Sequence, residues 1–268
     1  MERRDLESKV PAVTLGFWAI KILATTLGET GGDTVSMSWL GETTPEAGQS
    51  GLNGYLVGTA IFLTIFLLLA GCQIAARRFR PLLYWATIIA STTAGTTMAD
   101  FATRSLGIGY TGGSLLLLGL VLASLAAWKL SVGTIAVETV RTRKSEAFYW
   151  LTITFSQTLG TALGDWAADT GGLGYGGGAL LFGGLLALIA ALWFWSRVDR
   201  VLLFWAAFIL TRPLGATVGD FLDKPIAKGG LSLSRPLATA VLAGAILLLV
   251  LILPQRPGQH VPDEAPAA

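Results

Sequence analysis

Residues 17–33 of the chain read FWAIKILATTLGETGGD. The aromatic pair Phe17-Trp18 is followed, ten residues after the tryptophan, by Gly28 and, fifteen after it, by Asp33. The same three residues recur at the same spacing in Trp85, Gly95 and Asp100, in Trp150, Gly160 and Asp165, and in Trp205, Gly215 and Asp220. Each tryptophan again follows an aromatic, Tyr84, Tyr149 or Phe204. A fixed spacing of this kind marks a chain of internal repeats, and every copy lies in an apolar stretch. Carboxylates are costly near lipid, so four of them at one depth of four similar helices are the main functional clue.

Working outward from this motif, 53% of the 268 residues are hydrophobic and only 13% are charged, with a mean hydropathy of +0.63. A soluble domain of this length needs more charge to cover its surface. The apolar runs are long enough to cross a hydrocarbon core, which takes about 20 helical residues, and the alternating segments of a transmembrane β-barrel are not visible. The expected fold class is therefore an all-α polytopic membrane protein. Eight transmembrane helices are expected near Val13–Val35, Leu52–Ala76, Leu82–Arg104, Thr111–Val132, Phe148–Asp169, Gly172–Trp195, Val201–Leu222 and Leu233–Leu253. They form four parallel two-helix repeats with approximate internal symmetry, at about 13–80, 81–146, 147–200 and 201–253, within one membrane domain (13–253). A charged N-terminal arm (1–12) precedes it, and a Pro/Ala-rich tail (254–268) follows, which its composition marks as disordered. Odd spans carry the motif and many hydroxyls. Even spans are plainer and are expected to lie outside, against lipid.

Basic residues set the orientation. The arm has Arg3, Arg4 and Lys9, and later loops on that side have Arg77, Arg78 and Arg80, then Arg141, Arg143 and Lys144, then Arg197 and Arg200. On the other side Ser36–Ser50 has acidic residues and no basic ones, and Thr170–Tyr175 has no charge. Both termini are thus expected in the cytoplasm, in a bacterial inner membrane. Lys224, Lys228 and Arg235 run against the bias.

Helical rise converts spacing to depth. With each tryptophan near the cytoplasmic interface, the glycine lies ~15 Å deeper and the aspartate ~22 Å away, in the outer part of the membrane. Trp18, Trp85, Trp150 and Trp205 read as interfacial anchors, and the glycines as points of close helix packing. Positions three, seven, eleven and fifteen after each tryptophan share one helix face. They are Lys21, Thr25, Glu29 and Asp33 in the first copy, and Ile88, Thr92, Thr96 and Asp100 in the second. In the third they are Ile153, Gln157, Thr161 and Asp165, and in the fourth Phe208, Arg212, Ala216 and Asp220. Faces this polar must look at one another or at water.

The copies differ in charge. Asp100 has Arg104 one turn on and Asp220 has Lys224, so each can be neutralised by a local ion pair. Asp33 has Glu29 one turn before it and Asp165 has Asp169 one turn after, with no cation nearby in sequence. Like charges one turn apart bind a cation or hold a proton. Glu29, Asp33 and Asp165 are therefore the expected working carboxylates and metal ligands, with Asp169 at the rim. The bland alternative is that this group is solvated, or paired with Lys21 or Arg212. Arg212, followed by Pro213, suggests either a broken helix with an anion site or an internal salt bridge to Glu29 or Asp165.

The Gly54-Tyr55, Gly109-Tyr110 and Gly174-Tyr175 segments that open the even spans read as a turn with a small-residue packing face, or as a carbonyl-lined filter. No nucleotide loop, zinc motif or serine–histidine pair is present, and the single Cys72 has no thiol partner. No cofactor, nucleic-acid partner or enzyme activity is expected. Oligomeric state is not legible.

On these repeats the chain resembles a bacterial family of membrane proteins made of four tandem two-helix repeats, each with a signature tryptophan. Trp18, Trp85, Trp150 and Trp205 match it, over Val13 to Leu253. The resemblance implies the fold and brings no settled activity. The run Glu29-Thr30-Gly31-Gly32-Asp33 is also similar to the Glu-x-Gly-Asp motifs of cation exporters. An extra glycine intervenes and the following lysine is missing, so no function is carried over.

The leading expectation is a secondary transporter for a small hard cation resembling Mn²⁺ or Mg²⁺, since carboxylates and hydroxyls without Cys or His favour such ions. It is expected to be proton-coupled, through a pathway lined by Glu29, Asp33, Asp165, Thr25, Thr92, Thr96, Gln157 and Thr161. Two alternatives remain open. One is a passive channel or carrier for a neutral or anionic solute recognised by Lys21 and Arg212. The other is a non-transporting structural membrane protein whose stripe is a closed set of ion pairs.

Overall fold

The computed structural model describes residues 7–41 and 53–259. Arg3, Arg4, most of the Ser36–Ser50 loop and His260 lie outside the described residues. Eight long helices run in chain order: α1 (Leu15–Asp33), α2 (Gly54–Ala75), α3 (Pro81–Asp100), α4 (Tyr110–Val132), α5 (Arg143–Asp165), α6 (Gly174–Trp195), α7 (Arg200–Asp223) and α8 (Arg235–Ile252). Their starts follow local chemistry. Thr14, Asn53, Thr142 and Asp199 each accept a backbone N–H at the first turn, and α3 and α8 carry a proline, Pro81 and Pro236, within their first two residues. Five of the eight, α2, α4, α6, α7 and α8, are long and apolar enough to cross a membrane by length and composition.

The odd helices form a closed ring in which α1 packs on α3, α3 on α5, α5 on α7 and α7 on α1. Each even helix lies outside the ring against the odd helix of the next repeat: α2 on α3, α4 on α5, α6 on α7 and α8 on α1. The outer helices expose Leu67, Leu68, Leu115, Leu116, Leu180 and Leu251, among others, an apolar belt that requires lipid. Each outer helix packs mainly on the ring helix of the next repeat and only to a lesser extent on its own, so the four repeats are interdependent. This is the expected all-α membrane architecture of four parallel two-helix repeats.

The repeated glycines explain how the ring closes. A Cβ on Gly28 would collide with Thr92, one on Gly95 with Gln157, one on Gly160 with Arg212 and one on Gly215 with Thr25. Each glycine thus receives the residue seven places after the tryptophan of the next repeat, and the fourth returns to the first. One turn further on, Gly32 receives Thr96, Gly164 receives Ala216 and Gly219 receives Glu29. Removing the side chain lets neighbouring backbones approach, which is how small residues drive packing where no water is available to be expelled. The small residues of the even spans work the same way. Gly58 faces Thr97, Gly113 faces Thr103 and Gly178 faces Thr217, which favours the packing reading of the Gly–Tyr segments over a filter.

Two expectations change here. The span with Pro213 is not broken, for α7 is continuous from Arg200 to Asp223 with Pro213 inside it. Part of the tail is ordered: Pro257–Gln259 forms a short strand, β2, antiparallel to β1 (Glu7–Pro11). Proline and alanine content did not register the backbone partner that the arm supplies. The strand pair is fixed at the same end of the ring as the tryptophans. Ser8 donates to the carbonyls of Val137 and Val140, at 2.7 and 3.2 Å, and Lys9 pairs with Glu146 at 2.6 Å.

Candidate functional site: a layered polar axis

The faces that look into the ring stack in layers. The first is aromatic. Phe17, Tyr84, Trp85, Tyr149, Trp150, Phe204 and Trp205 pack edge-on or tilted against one another, with neighbouring ring centroids 5.1 to 6.4 Å apart, and Trp128 of α4 joins them. The Tyr84 and Tyr149 hydroxyls share a hydrogen bond of 2.6 Å. The interfacial-anchor reading is corrected. Trp85, Trp150 and Trp205 are 2 to 4% exposed, and only Trp18 is partly exposed. Trp85 Nε1 donates to the Gln255 side chain and Trp205 Nε1 to the carbonyl of Ile135, which are cap segments and not lipid headgroups. Spacing placed the four at one level of the ring but could not show which way they faced.

The next layer holds Lys21, Ile88, Ile153 and Phe208, all fully buried, with Lys21 Nζ 4.2 Å from the centre of the Phe208 ring. Below it come Thr25, Thr92, Gln157 and Arg212, also fully buried. Arg212 reaches across the axis toward the layer of Glu29, Thr96 and Thr161. Its Nη2 lies 2.9 Å from Glu29 Oε2 and donates to the Thr96 and Thr161 hydroxyls, so one guanidinium joins α7 to the three other ring helices. Of the two carboxylates proposed as its partner from sequence, the structure chooses Glu29.

The last buried layer is the aspartates. Asp33, Asp100, Asp165 and Asp220 are 0 to 2% exposed. The local pairs are present: Arg104 Nε is 3.0 Å from Asp100 and Lys224 Nζ is 2.9 Å from Asp220. Each cation also serves a second helix. Arg104 lies 3.4 Å from Asp165, and Lys224 lies 2.6 Å from Asp33. Asp33 and Asp165 are thus not the cation-free carboxylates that sequence proximity suggested, because their partners come from 191 and 61 residues away. Asp223, which sequence reasoning passed over, is buried between Lys224 at 3.9 Å and Arg235 at 3.4 Å. Its neighbour Lys224 was the available signal. These contacts also explain two of the basic residues that run against the orientation rule, for both face carboxylates.

The metal-ligand expectation changes in one member. One oxygen each of Glu29, Asp33 and Asp220 lie within 4.8 Å of one another, all buried. Asp220 takes the place expected for Asp165, which stands with Arg104 instead. With all groups ionised, Asp33, Asp100, Asp165, Asp220 and Asp223 exceed Arg104, Lys224 and Arg235 by two negative charges. Asp33 Oδ1 has no hydrogen-bond partner among the described residues. Lys224 Nζ lies against two of these carboxylates, Asp33 and Asp220.

Beyond the aspartates, Thr34–Trp39, Phe101–Ser105 and Trp166–Thr170 continue three of the ring helices as π-helix, whereas α7 stays α-helical to Asp223. Such widened turns are frequent at functional sites. Asp169 is exposed there, as expected of a rim residue, and helps line an open cavity of about 500 Å³ with Arg104, Tyr175, Lys224 and Arg235. Both cations that hold the aspartates are thus reachable from this cavity. At the opposite end, outside the membrane spans, burial pushes the Glu146 carboxyl up to about 7, with Lys9 pulling the other way.

Comparison with known families places this architecture. The model titled Repeat of Unknown Function (DUF347) matches residues 16–79, 83–134, 148–199 and 203–254. The chain belongs to the DUF347 repeat family. Its four matched segments are the four tandem repeats that make up the DUF347 ring. No curated protein and no solved structure matches the chain.

Proposed function

We propose that this DUF347 protein is a secondary transporter of a small hard cation, with Glu29, Asp33 and Asp220 as the ligands. The observation that carries the reading is the convergence of three buried carboxylate oxygens within 4.8 Å, in a layer where five aspartates face three cations. Oxygen donors without sulfur or imidazole suit a divalent ion of the Mg²⁺ or Mn²⁺ kind. Lys224 then acts as a tethered competitor. Its ammonium sits against Asp33 and Asp220, and an ion entering from the outer cavity displaces it toward Asp223 and the rim. Proton binding by the vacated carboxylates is the reverse half of the exchange. The aromatic layer and strand pair close the other end in this arrangement. The basic loops support termini in the cytoplasm of a bacterial cell, with the aspartate layer toward the outer face of the inner membrane.

Flux of Mg²⁺ or Mn²⁺ into proteoliposomes, with internal pH followed by a dye, tests this. Glu29→Gln and Asp220→Asn are expected to abolish saturable flux, while Asp169→Asn at the rim leaves most of it. Flux untouched by neutralising Glu29, Asp33 and Asp220 would exclude the mechanism. A second reading is favoured by the way Arg104 and Lys224 each bridge a local aspartate to one on another helix: a structural membrane protein in which Arg104, Arg212 and Lys224 are permanent latches. Absence of saturable flux for both ions in the unmodified protein selects it.

A further inference from the structure

We infer that the ring binds a small monovalent anion at mid-depth, between Lys21 and Arg212, separate from the acidic cluster and independent of the cation reading. Four fully buried side chains carry it. Lys21 Nζ has no hydrogen-bond partner among the described residues, and its nearest recorded interaction is the Phe208 face at 4.2 Å. A ring quadrupole attracts an ammonium but accepts none of its protons in a normal hydrogen bond. Arg212 directs Nη2 to Glu29, Thr96 and Thr161, which leaves Nε and Nη1 without partners. Gln157 Nε2 and Thr92 Oγ1, in the same layer as Arg212, are unpartnered as well. All these groups sit on the inward stripe, three or seven residues after a repeat tryptophan.

Charge makes the same point independently. Lys21 lies within electrostatic reach of Arg212, and the one carboxylate paired at this depth is Glu29, which Arg212 already holds. Lys21 and Arg212 can both stay charged beside the single counter-charge of Glu29 only at a high cost, and a bound anion removes that cost. A single anion between them accepts from Lys21 and from the free edge of Arg212, and each such bond is charge-assisted. The set offers donors and positive charge, so it selects against the cations that suit the aspartate layer. Complete burial limits the ligand to the size of chloride or nitrate.

The test uses the full-length protein purified in detergent and melted in choline salts at matched ionic strength, so that the cation never varies. Chloride and nitrate are expected to raise the melting temperature in a saturable way, whereas gluconate, too large for an enclosed site, does not. Lys21→Met is expected to weaken the chloride midpoint roughly tenfold or more and Lys21→Arg to keep it. Should Lys21→Met fail to fold, Gln157→Leu, which removes a donor without removing charge, must still raise the midpoint. Identical melting in all three anions overturns the inference and leaves Lys21 as an uncharged amine. So does a chloride response that neither Lys21→Met nor Gln157→Leu alters.

Discussion

The two ends of the ring are closed by different chemistry. At the tryptophan end, aromatic rings interlock beneath a strand pair formed by residues 240 and more apart in the chain. At the aspartate end, two cations each hold carboxylates from two helices, beside an open cavity. Apolar packing has no soluble competitor, so the aromatic layer itself is insensitive to ions, although the Lys9–Glu146 pair stands beside it. An ion pair can be exchanged for another ion or a proton. Under the proposed transport function the second end is the one to open, with the residues between the two ends holding the ring together.

The sharpest way to break this division is at Arg212. Arg212→Met leaves Glu29 buried without its cation, which costs about 3–5 kcal/mol. Urea or SDS titration in detergent is expected to register that loss, with Glu29→Gln on the same chain recovering part of it. No recovery would mean that the guanidinium acts through packing and not charge. Gly160→Ala comes next, because its Cβ would meet the Arg212 side chain and Pro213, and overpacking costs about 1–3 kcal/mol. Gly71→Ala, with open space around it, is the control and should melt like the parent. Equal melting of the two variants would remove the glycine ring as the basis of closure.

At the aromatic end, Tyr84→Phe removes the 2.6 Å bond to Tyr149. It is expected to cost about 1 kcal/mol, read by the same titration, and to leave any ion response unchanged. The remaining test is in pH. Glu146 rises from an ordinary 4.5 to about 7 in the fold, so the native state holds the proton more tightly than the unfolded chain. Its contribution is fully present below about 4.5 and is lost as pH rises through about 7. The parent should lose a few degrees of melting temperature across that window, roughly as expected for a chain of this size. Glu146→Gln should flatten that part of the profile.

Much of this was legible because lipid limits the choices. Backbone groups in a membrane must be satisfied within their own segment, so apolar runs read directly as helices, and the spacing of Trp, Gly and Asp read directly as repeats and as depth. The i, i+4 pairs Asp100–Arg104 and Asp220–Lys224 were visible for the same reason, since one helix contains both partners. Asp223 was overlooked because it stands off the repeated stripe. The tryptophans were given to the interface because depth along a helix says nothing about direction around it. Asp33 and Asp165 looked unpaired because one-turn spacing finds only partners on the same helix.

By itself, then, the sequence determined eight helices in four parallel repeats, an inward polar stripe and the order of its layers, all consequences of helical rise and periodicity. The tertiary structure alone decided that α1 and α7 close the ring, that each glycine receives the next repeat's side chain, and that Lys224 bridges Asp33 and Asp220 while Arg104 bridges Asp100 and Asp165. Electrostatic pairing depends on distance in space, and in a ring of four helices the nearest opposite charge at a given depth stands on a neighbour that the order of residues does not identify.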